Sequence, residues 1–403
     1  MIRMYTRVQR GYQERVYART SVLGFVALLI CVLLCVLAVP SYAQAPGGTA
    51  TATAITPDIV PWTVSTTAFV DEMVTRHGFD GAELSALISS ARYQSSIIRA
   101  MDTPGTALPW RVFRQQHITT KRIRTGVQFW QRHRALLERA ALQYRVPVEI
   151  IVSTLGIESD FGQRVGRYMT FDALVTLAFA YPRRAAFFQD ELMHYLLLMR
   201  DNRWPLRGVQ GSFAGAIGMP QFMPSSYRQY AVDFDGDGQR DLRQLSDSIG
   251  SIAHYYQQHG WQLEAPVVVP ASAEAMVAEP FLKAGILPHT AIAQYKQIGV
   301  MPSVPIDDEQ LAALVGVEAA EGLQYYLILK NFYVITRYNR SVNYALAVYE
   351  FATQLRQQFS LGSVQSVSDS DTQRKAKRHY KSRNHSELKR KPNATQKAQS
   401  RGH

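Results

Sequence analysis

The sequence predicts a mainly α-helical fold with one small β-rich insertion, and three observations carry that reading. From residue 151 to residue 262 the apolar residues keep helical spacing, broken only by glycine-rich loops. Residues 265–336 change character, because "APVVVPA", "AALVGVE" and "YYLILKNFYVITRY" are rich in the β-branched and aromatic residues that strands favour. A helical pattern, "SVNYALAVYEFATQLRQQF", then returns at 341–359.

The chain opens with Arg3, Arg7, Arg10, Arg15 and Arg19 ahead of an unbroken apolar run at 22–39, "VLGFVALLICVLLCVLAV". Ser41-Tyr42-Ala43 then offers a small-x-small cleavage site, so residues 1–43 read as a secretory signal peptide. The same 18 residues are just long enough to cross a bilayer, which leaves an uncleaved anchor as the alternative. Either way the arginines keep the N-terminus in the cytoplasm and send the rest across the membrane. Both cysteines, Cys31 and Cys35, lie inside this run, and neither follows the Gly, Ala or Ser of a lipid-attachment site. The protein is therefore not expected to be a lipoprotein, and its exported part has no disulfide or thiol chemistry.

Residues 44–61, "QAPGGTATATAITPDIVP", have no apolar periodicity and read as a linker. A helical region at 62–145 follows. In it Asp80 and Glu83 have capping-box spacing, and 126–145 reads as one amphipathic helix. Pro147 suits the first turn of the next helix, which opens a compact core at 146–264. The β-rich region at 265–336 interrupts that core, and 337–362 returns to complete it. Residues 363–403 have almost nothing apolar to bury and read as a disordered basic tail.

The net charge of +12 resides in the two ends. Residues 1–20 carry five arginines against one glutamate, and 363–403 carry eleven basic against three acidic side chains. The 28 basic and 28 acidic residues of 21–362 cancel, which argues against specific nucleic-acid binding by the folded part. The tail reads as a solvated end or as an electrostatic tether to an anionic surface.

One carboxylate stands out. Val148, Ile151, Val152 and Leu155 form a helical apolar stripe, and Glu158 continues it. Gly162 is the expected terminator, placing Glu158 in or near the last turn. Desolvation and the negative end of the helix dipole both raise the pKa of such a group, as a general acid requires. The alternative is a structural glutamate paired with Arg164 or Arg167. Glycosidases normally need a second carboxylate roughly 5–9.5 Å away. Asp160 points elsewhere at i, i+2, and Asp172, Asp190 and Glu191 could approach only through the fold.

Two loops carry the remaining signals. "GSFAGAIGMPQFMPSSY" (211–227) crowds small residues ahead of Gln221, whose amide could bond an acetamido group. Its glycines equally suit tight packing within the fold, and no phosphate-loop spacing is present. "DFDGDGQRDLRQ" (233–244) places Asp233, Asp235, Asp237 and Gly238 like the first half of a calcium loop. Gln244 stands where a bidentate Glu is expected, so Asp247 would have to close a longer loop; the alternative is an Asp-rich turn with no ion.

"GIESDFG", "FDALVTLAFAYPRRAAFF", "GSFAGAIGMPQFMPSSYRQYAVDFDGDG", "DSIGSIAHYYQQHGW" and "NFYVITRYNRS" together resemble the membrane-bound lytic murein transglycosylase B family, over about residues 60–360. The resemblance implies a lysozyme-like catalytic core and a single catalytic glutamate at Glu158. That residue would protonate the glycosidic oxygen between N-acetylmuramic acid and N-acetylglucosamine, then activate the muramoyl C6 hydroxyl to close a 1,6-anhydro ring. No water and no second carboxylate would be needed. The resemblance further implies glycan contacts from Ser212 and Gln221, and a cleft lined by Tyr255, Tyr338 and Asn339. It implies a structural Ca2+ held by Asp233, Asp235, Asp237, Gln239 and Asp247, with no organic cofactor. The expected partner is the peptidoglycan strand, met in the periplasm by a monomer, with membrane association through residues 22–39 if the leader is retained. The competing functions are a water-using muramidase, with Asp172 or another acid as base, and a silent glycan-binding protein.

Overall fold

The computed structural model describes residues 62, 64–102 and 108–361. The leader or anchor at 1–43, the 44–61 linker and the 363–403 tail lie outside the described residues. Among the described residues no helix is long and apolar enough to cross a membrane.

The first helices are α1 (Thr67–His77), α2 (Gly81–Ser89), α3 (Ser95–Asp102) and α4 (Trp110–His117). The Asp80 half of the expected capping box is present: its carboxylate accepts the Glu83 N–H at 2.7 Å. The expected single helix at 126–145 is two, α5 (Thr120–Arg132) and α6 (Arg134–Tyr144). The first starts earlier because Thr119 caps it by accepting the Arg122 N–H. The break falls at His133, where ψ is 24°. The helical ladder nevertheless runs through it, from His133 N–H to Phe129 O and from Leu137 N–H to His133 O. The apolar period therefore reads as continuous across the bend.

Helix α7 (Val148–Ser159) is the central element, with Ile150 through Gly156 all buried. Pro147 sits just before its first turn, one residue outside the expected place. Two polar residues inside it are satisfied by neighbouring helices. Ser153 Oγ donates to Val348 O at 2.6 Å, and Thr154 Oγ1 lies 2.8 Å from the Tyr256 hydroxyl. Gly156 lets the rings of Phe161 and Phe351 close on the helix, since a Cβ there would fall 2.7 Å from each. Gly156→Ala is expected to destabilise the protein by about 1–3 kcal/mol through overpacking, despite alanine's higher helix propensity. Chemical denaturation checks this; an unchanged midpoint would mean that the two rings yield freely.

A short ladder of β1 (Tyr168–Met169) and β2 (Gln210–Gly211) brackets the hairpin of α8 (Thr170–Ala180) and α9 (Ala185–Asn202). Next come α10 (Pro224–Tyr230) and α11 (Leu245–Gln258). The insertion then adds β3 (Val268–Ser272), α12 (Ala275–Leu282), β4 (Thr290–Ala291), α13 (Ile292–Gln297), β5 (Met301–Pro302), β6 (Leu311–Ala319) and β7 (Gly322–Ile328). Its sheet is antiparallel, in the order β4-β6-β7-β3-β5. Alternate residues of β6 face two cores. Ala313, Val315 and Val317 join the main core, while Ala312 and Leu314 join a smaller cluster with Ala278, Ile292 and Tyr295. Burial on both faces is why the strand reads as a continuous apolar run.

The run "YYLILKNFYVITRY" does not stay extended. After β7 ends at Ile328 the chain forms α14 (Lys330–Tyr338), whose Phe332, Val334 and Ile335 are buried. Packing into the main core overrides the β propensity of these residues. Buried Asn331 fastens the insertion's exit to its entrance: its side chain accepts the Gln262 N–H and donates to the carbonyls of Gln262 and Ala265. The last helix, α15 (342–361), crosses back over α7.

Candidate active site

Glu158 lies in the last turn of α7. The helix stops at Asp160, two residues before the glycine expected to end it. Asp160, Phe161 and Gly162 take left-handed φ values of 51°, 60° and 85° in succession. Gly162 is needed for a second reason, because a Cβ would meet the Met219 sulfur at 3.1 Å. Arg122 and Arg164 flank the Asp160 carboxylate at 3.6 and 3.8 Å, and Arg167 lies over the Tyr168 ring. Among the described residues Glu158 therefore has no ion pair, so the structural-glutamate reading lacks its partner. The group it does meet is the Tyr344 hydroxyl of α15, which donates to Oε1 at 2.6 Å. Burial pushes the Glu158 carboxyl up to about 7, with the Tyr344 hydrogen bond opposing that rise.

Aromatic rings wall this carboxyl. Tyr338 lies nearly parallel to Tyr344, at 16° with centroids 6.3 Å apart, and meets Tyr255 edge-on at 4.9 Å. Phe222 packs against both Tyr255 and Tyr338. Burial raises the phenol pKa of Tyr255, Tyr338 and Tyr344, and the Glu158 charge raises each further. All three consequently stay protonated donors. Tyr338 gives its proton to Pro220 O and Tyr255 to Arg337 O, each at 2.6 Å. Tyr338 keeps part of its ring exposed, whereas Tyr255 is 6% exposed and has His259 stacked on its ring at 4.1 Å. Asn339, just past α14, has its carbonyl bonded by the Ser341 N–H at 2.7 Å.

The glycine-rich loop packs backbone on backbone. A Cβ on Gly211 would lie 2.3 Å from Ala216 O, and one on Gly218 2.4 Å from Leu242 O. Its polar residues are held in defined states. Ser212 Oγ accepts the N–H groups of Ala214 and Ala216, which leaves its hydroxyl proton to donate. Gln221, at φ 52°, spends its amide N–H groups on Val165 O and Gly218 O, which leaves Oε1 to accept. Sequence reading missed Tyr344 and Asn331. A tyrosine in an apolar stripe looks like core, and a lone Asn looks like surface, until the tertiary partners are known.

The other acids are occupied locally. Buried Asp172 accepts the Arg92 N–H and lies 3.8 Å from Arg207. Glu191 accepts both the N–H and the hydroxyl of Ser225, and Asp190 lies 3.9 Å from His194.

In the aspartate loop, carboxylate oxygens of Asp233, Asp235 and Asp237 lie within 4.8 Å of one another, with no basic side chain paired to them among the described residues. This all-oxygen set suits a hard divalent cation. Gln239 follows in the same turn, its N–H donating to Asp237. Asp247 stands outside the cluster. It is 1% exposed, and its two oxygens accept the N–H groups of Phe234 and Asp241 at 2.8 and 2.7 Å. Asp247 thus clamps two backbone N–H groups beside the carboxylate cluster.

Residues 63–353 match the family described as the transglycosylase SLT domain. The chain is 42% identical over 307 residues to membrane-bound lytic murein transglycosylase B of Escherichia coli (strain K12), covering 74% of this chain and 83% of that one. Among solved structures it resembles the E. coli lytic transglycosylase Slt35 in complex with calcium, with a TM-score of 0.67 at 41% identity over 73% of this chain and 93% of that one. It also resembles SltB3 from Pseudomonas aeruginosa in complex with NAG-NAM-pentapeptide, with a TM-score of 0.62 at 27% identity over 72% and 78% of the two chains. The chain therefore belongs to the transglycosylase SLT family, as a lytic murein transglycosylase that cleaves peptidoglycan with a mainly helical, lysozyme-like core.

Proposed function

We propose that the enzyme cuts the β-1,4 bond between N-acetylmuramic acid and N-acetylglucosamine with Glu158 alone, first as acid and then as base. The observation that carries this is a carboxyl without an ion pair, held near neutrality at about 7 by burial and bonded to one tyrosine. Tyr344 donates to Oε1, so the carboxyl proton belongs on Oε2, the oxygen that would face the glycosidic bond. Proton transfer from Oε2 to the glycosidic oxygen releases N-acetylglucosamine and leaves a carboxylate. That carboxylate then takes the proton of the muramoyl C6 hydroxyl as it attacks C1. The proton lost in the first step is regained in the second, so neither water nor a carboxylate nucleophile enters.

The Ser212 hydroxyl and Gln221 Oε1 are suited to bond the sugar as donor and acceptor, with Tyr338 lining the cleft, Tyr255 packed behind it and Asn339 adding a polar edge. Asp233, Asp235, Asp237 and Gln239 would hold a calcium ion that fixes their loop, with Asp247 anchoring it. Residues 1–43 would direct the protein to the periplasm, where peptidoglycan lies.

Digestion of purified sacculi followed by mass analysis tests the chemistry. Anhydro-ended products, one water lighter than hydrolysis products, are expected. Reducing ends would instead mean a muramidase that uses water, and no release would mean a silent binder.

Tyr344→Phe tests the hydrogen bond. Removing a donor that stabilises the carboxylate should push the Glu158 pKa up further, so the alkaline limb of the pH–rate profile should move to higher pH. The loss in turnover should stay within about tenfold, as for one hydrogen bond. A lower rate with an unmoved limb would mean that Tyr344 acts through packing alone.

A further inference from the structure

The backbone just past Glu158 is held in a conformation that its residues do not favour. Asp160 and Phe161 both carry a Cβ, yet both are left-handed, with Gly162 third in the run. Such backbone persists only where the surroundings enforce it. For Phe161 packing does so: its ring stacks on Phe129 of α5, with centroids 5.2 Å apart, and meets Phe351 of α15. Ser159 braces the next residues, its Oγ accepting the Gly162 N–H at 3.0 Å and its carbonyl the Arg164 N–H at 2.8 Å.

Asp160 is held by charge. Its carboxylate is 22% exposed and faces Nε of Arg122 at 3.6 Å, a side chain that is itself 16% exposed. Arg122 is fixed from behind. Its backbone N–H is bound by Thr119 Oγ1 in the cap of α5, and Nη1 donates to His117 O at 2.8 Å. That carbonyl closes the C-terminal end of α4, where the helix dipole favours a cation. The other cation, Arg164, is 77% exposed and therefore screened. Arg122 is thus an anchored arm that ties α4 and α5 to the end of α7, two residues from Glu158.

Glu158 has to meet Tyr344 and the scissile oxygen at once, and displacement of a reacting group by about 1 Å is costly. Resting on the assignment of Glu158 above, we infer that Arg122 and Asp160 are positioning residues, whose ion pair holds the left-handed turn and with it the aim of Glu158. Without the pair Asp160 returns to right-handed backbone, which draws the last turn of α7 out of place. Sugar binding should survive, because Gln221 is anchored on Gly218 O as well as on Val165 O of this loop.

Steady-state cleavage of a soluble peptidoglycan fragment, measured per folded enzyme well below the melting temperature, is the test. Asp160→Asn removes the charge but keeps a residue that left-handed backbone accepts, and Asp160→Gly is more permissive still, so both should fold. Each is expected to lower kcat roughly 10- to 100-fold with KM within about twofold, as is Arg122→Ala. Combined in one chain, Arg122→Ala and Asp160→Asn should not multiply their losses, since both remove one interaction. Arg164→Ala should leave kcat unchanged. The inference is overturned if the variants keep the wild-type kcat while only their melting temperatures fall, or if KM carries the loss. It is equally overturned if the two losses multiply, or if Arg164→Ala does the same damage. Glu158→Gln, run alongside, separates the two readings. A silent Glu158→Gln beside a fully active Asp160→Asn sinks the positioning role alone, whereas an active Glu158→Gln sinks the assignment of Glu158 and this inference with it.

Discussion

Glu158→Gln is expected to lower release of anhydromuropeptides by about 10³-fold or more while preserving the fold, because one change removes both the acid and the base of the cycle. The amide keeps an oxygen for the Tyr344 hydroxyl, so the loss would report proton transfer and not a collapsed site. The same substitution should stabilise the protein in a defined pH window. The Glu158 pKa rises from an ordinary 4.5 to about 7 on folding, so the folded state holds a proton that the unfolded state releases between those values. Below 4.5 both states are protonated and the group is neutral in its effect. As pH rises through 7 the wild type bears the full burden of a buried carboxylate, on the order of 3 kcal/mol, which glutamine does not. Denaturation of both proteins at pH 4 and pH 8 checks the sign. A gain for the variant at pH 4 alone, or a variant that still turns over substrate at a tenth of the wild-type rate, would refute the assignment.

This behaviour bears on what a sequence can reveal. Glu158 was visible because a charged residue extended an apolar stripe of helical period, and that conflict lies within a single helix. The Asp80 cap, the aspartate loop and the double-sided apolar strands were visible for the same reason, since each is a local rule. The bend at His133 was not, because the hydrogen-bond ladder and the apolar period both continue across it. Nor was the switch from β7 to α14, where burial of Phe332 and Ile335 decides the conformation against their propensity. Tyr344 and Asn331 act on partners at sequence separations of 186 and 69 residues, a relation that no local pattern encodes. The local bonds of Ser212 and Gln221 were equally hidden: Ser212 Oγ accepts two backbone N–H groups and Gln221 donates to two backbone carbonyls, which leaves the first a donor and the second an acceptor.

Asp247→Ala should destabilise the protein by about 2–5 kcal/mol even without calcium, since it strands the N–H groups of Phe234 and Asp241 in the interior. The damage would not stay in the loop. Phe234 packs against α11 so closely that a Cβ on Gly250 would lie 2.5 Å from its ring, and Arg139 both stacks on that ring and donates to its carbonyl. Helix α11 carries Tyr255, so loosening Phe234 should lower activity along with stability. Asp235→Ala separates clamp from cation. Its carboxylate is exposed and meets Ser246 and the Asp237 N–H, so calcium-free stability should change little. The calcium-dependent gain, about 2.7 kcal/mol for the wild type at a hundredfold excess over the dissociation constant, should disappear. Thermal melts of the three proteins with calcium and with chelator distinguish these outcomes. If Asp247→Ala matched the wild type in chelator and lost only the calcium response, Asp247 would be a ligand whose backbone bonds contribute nothing. If Asp235→Ala kept the calcium response, the three converging carboxylates would not be the site of the ion.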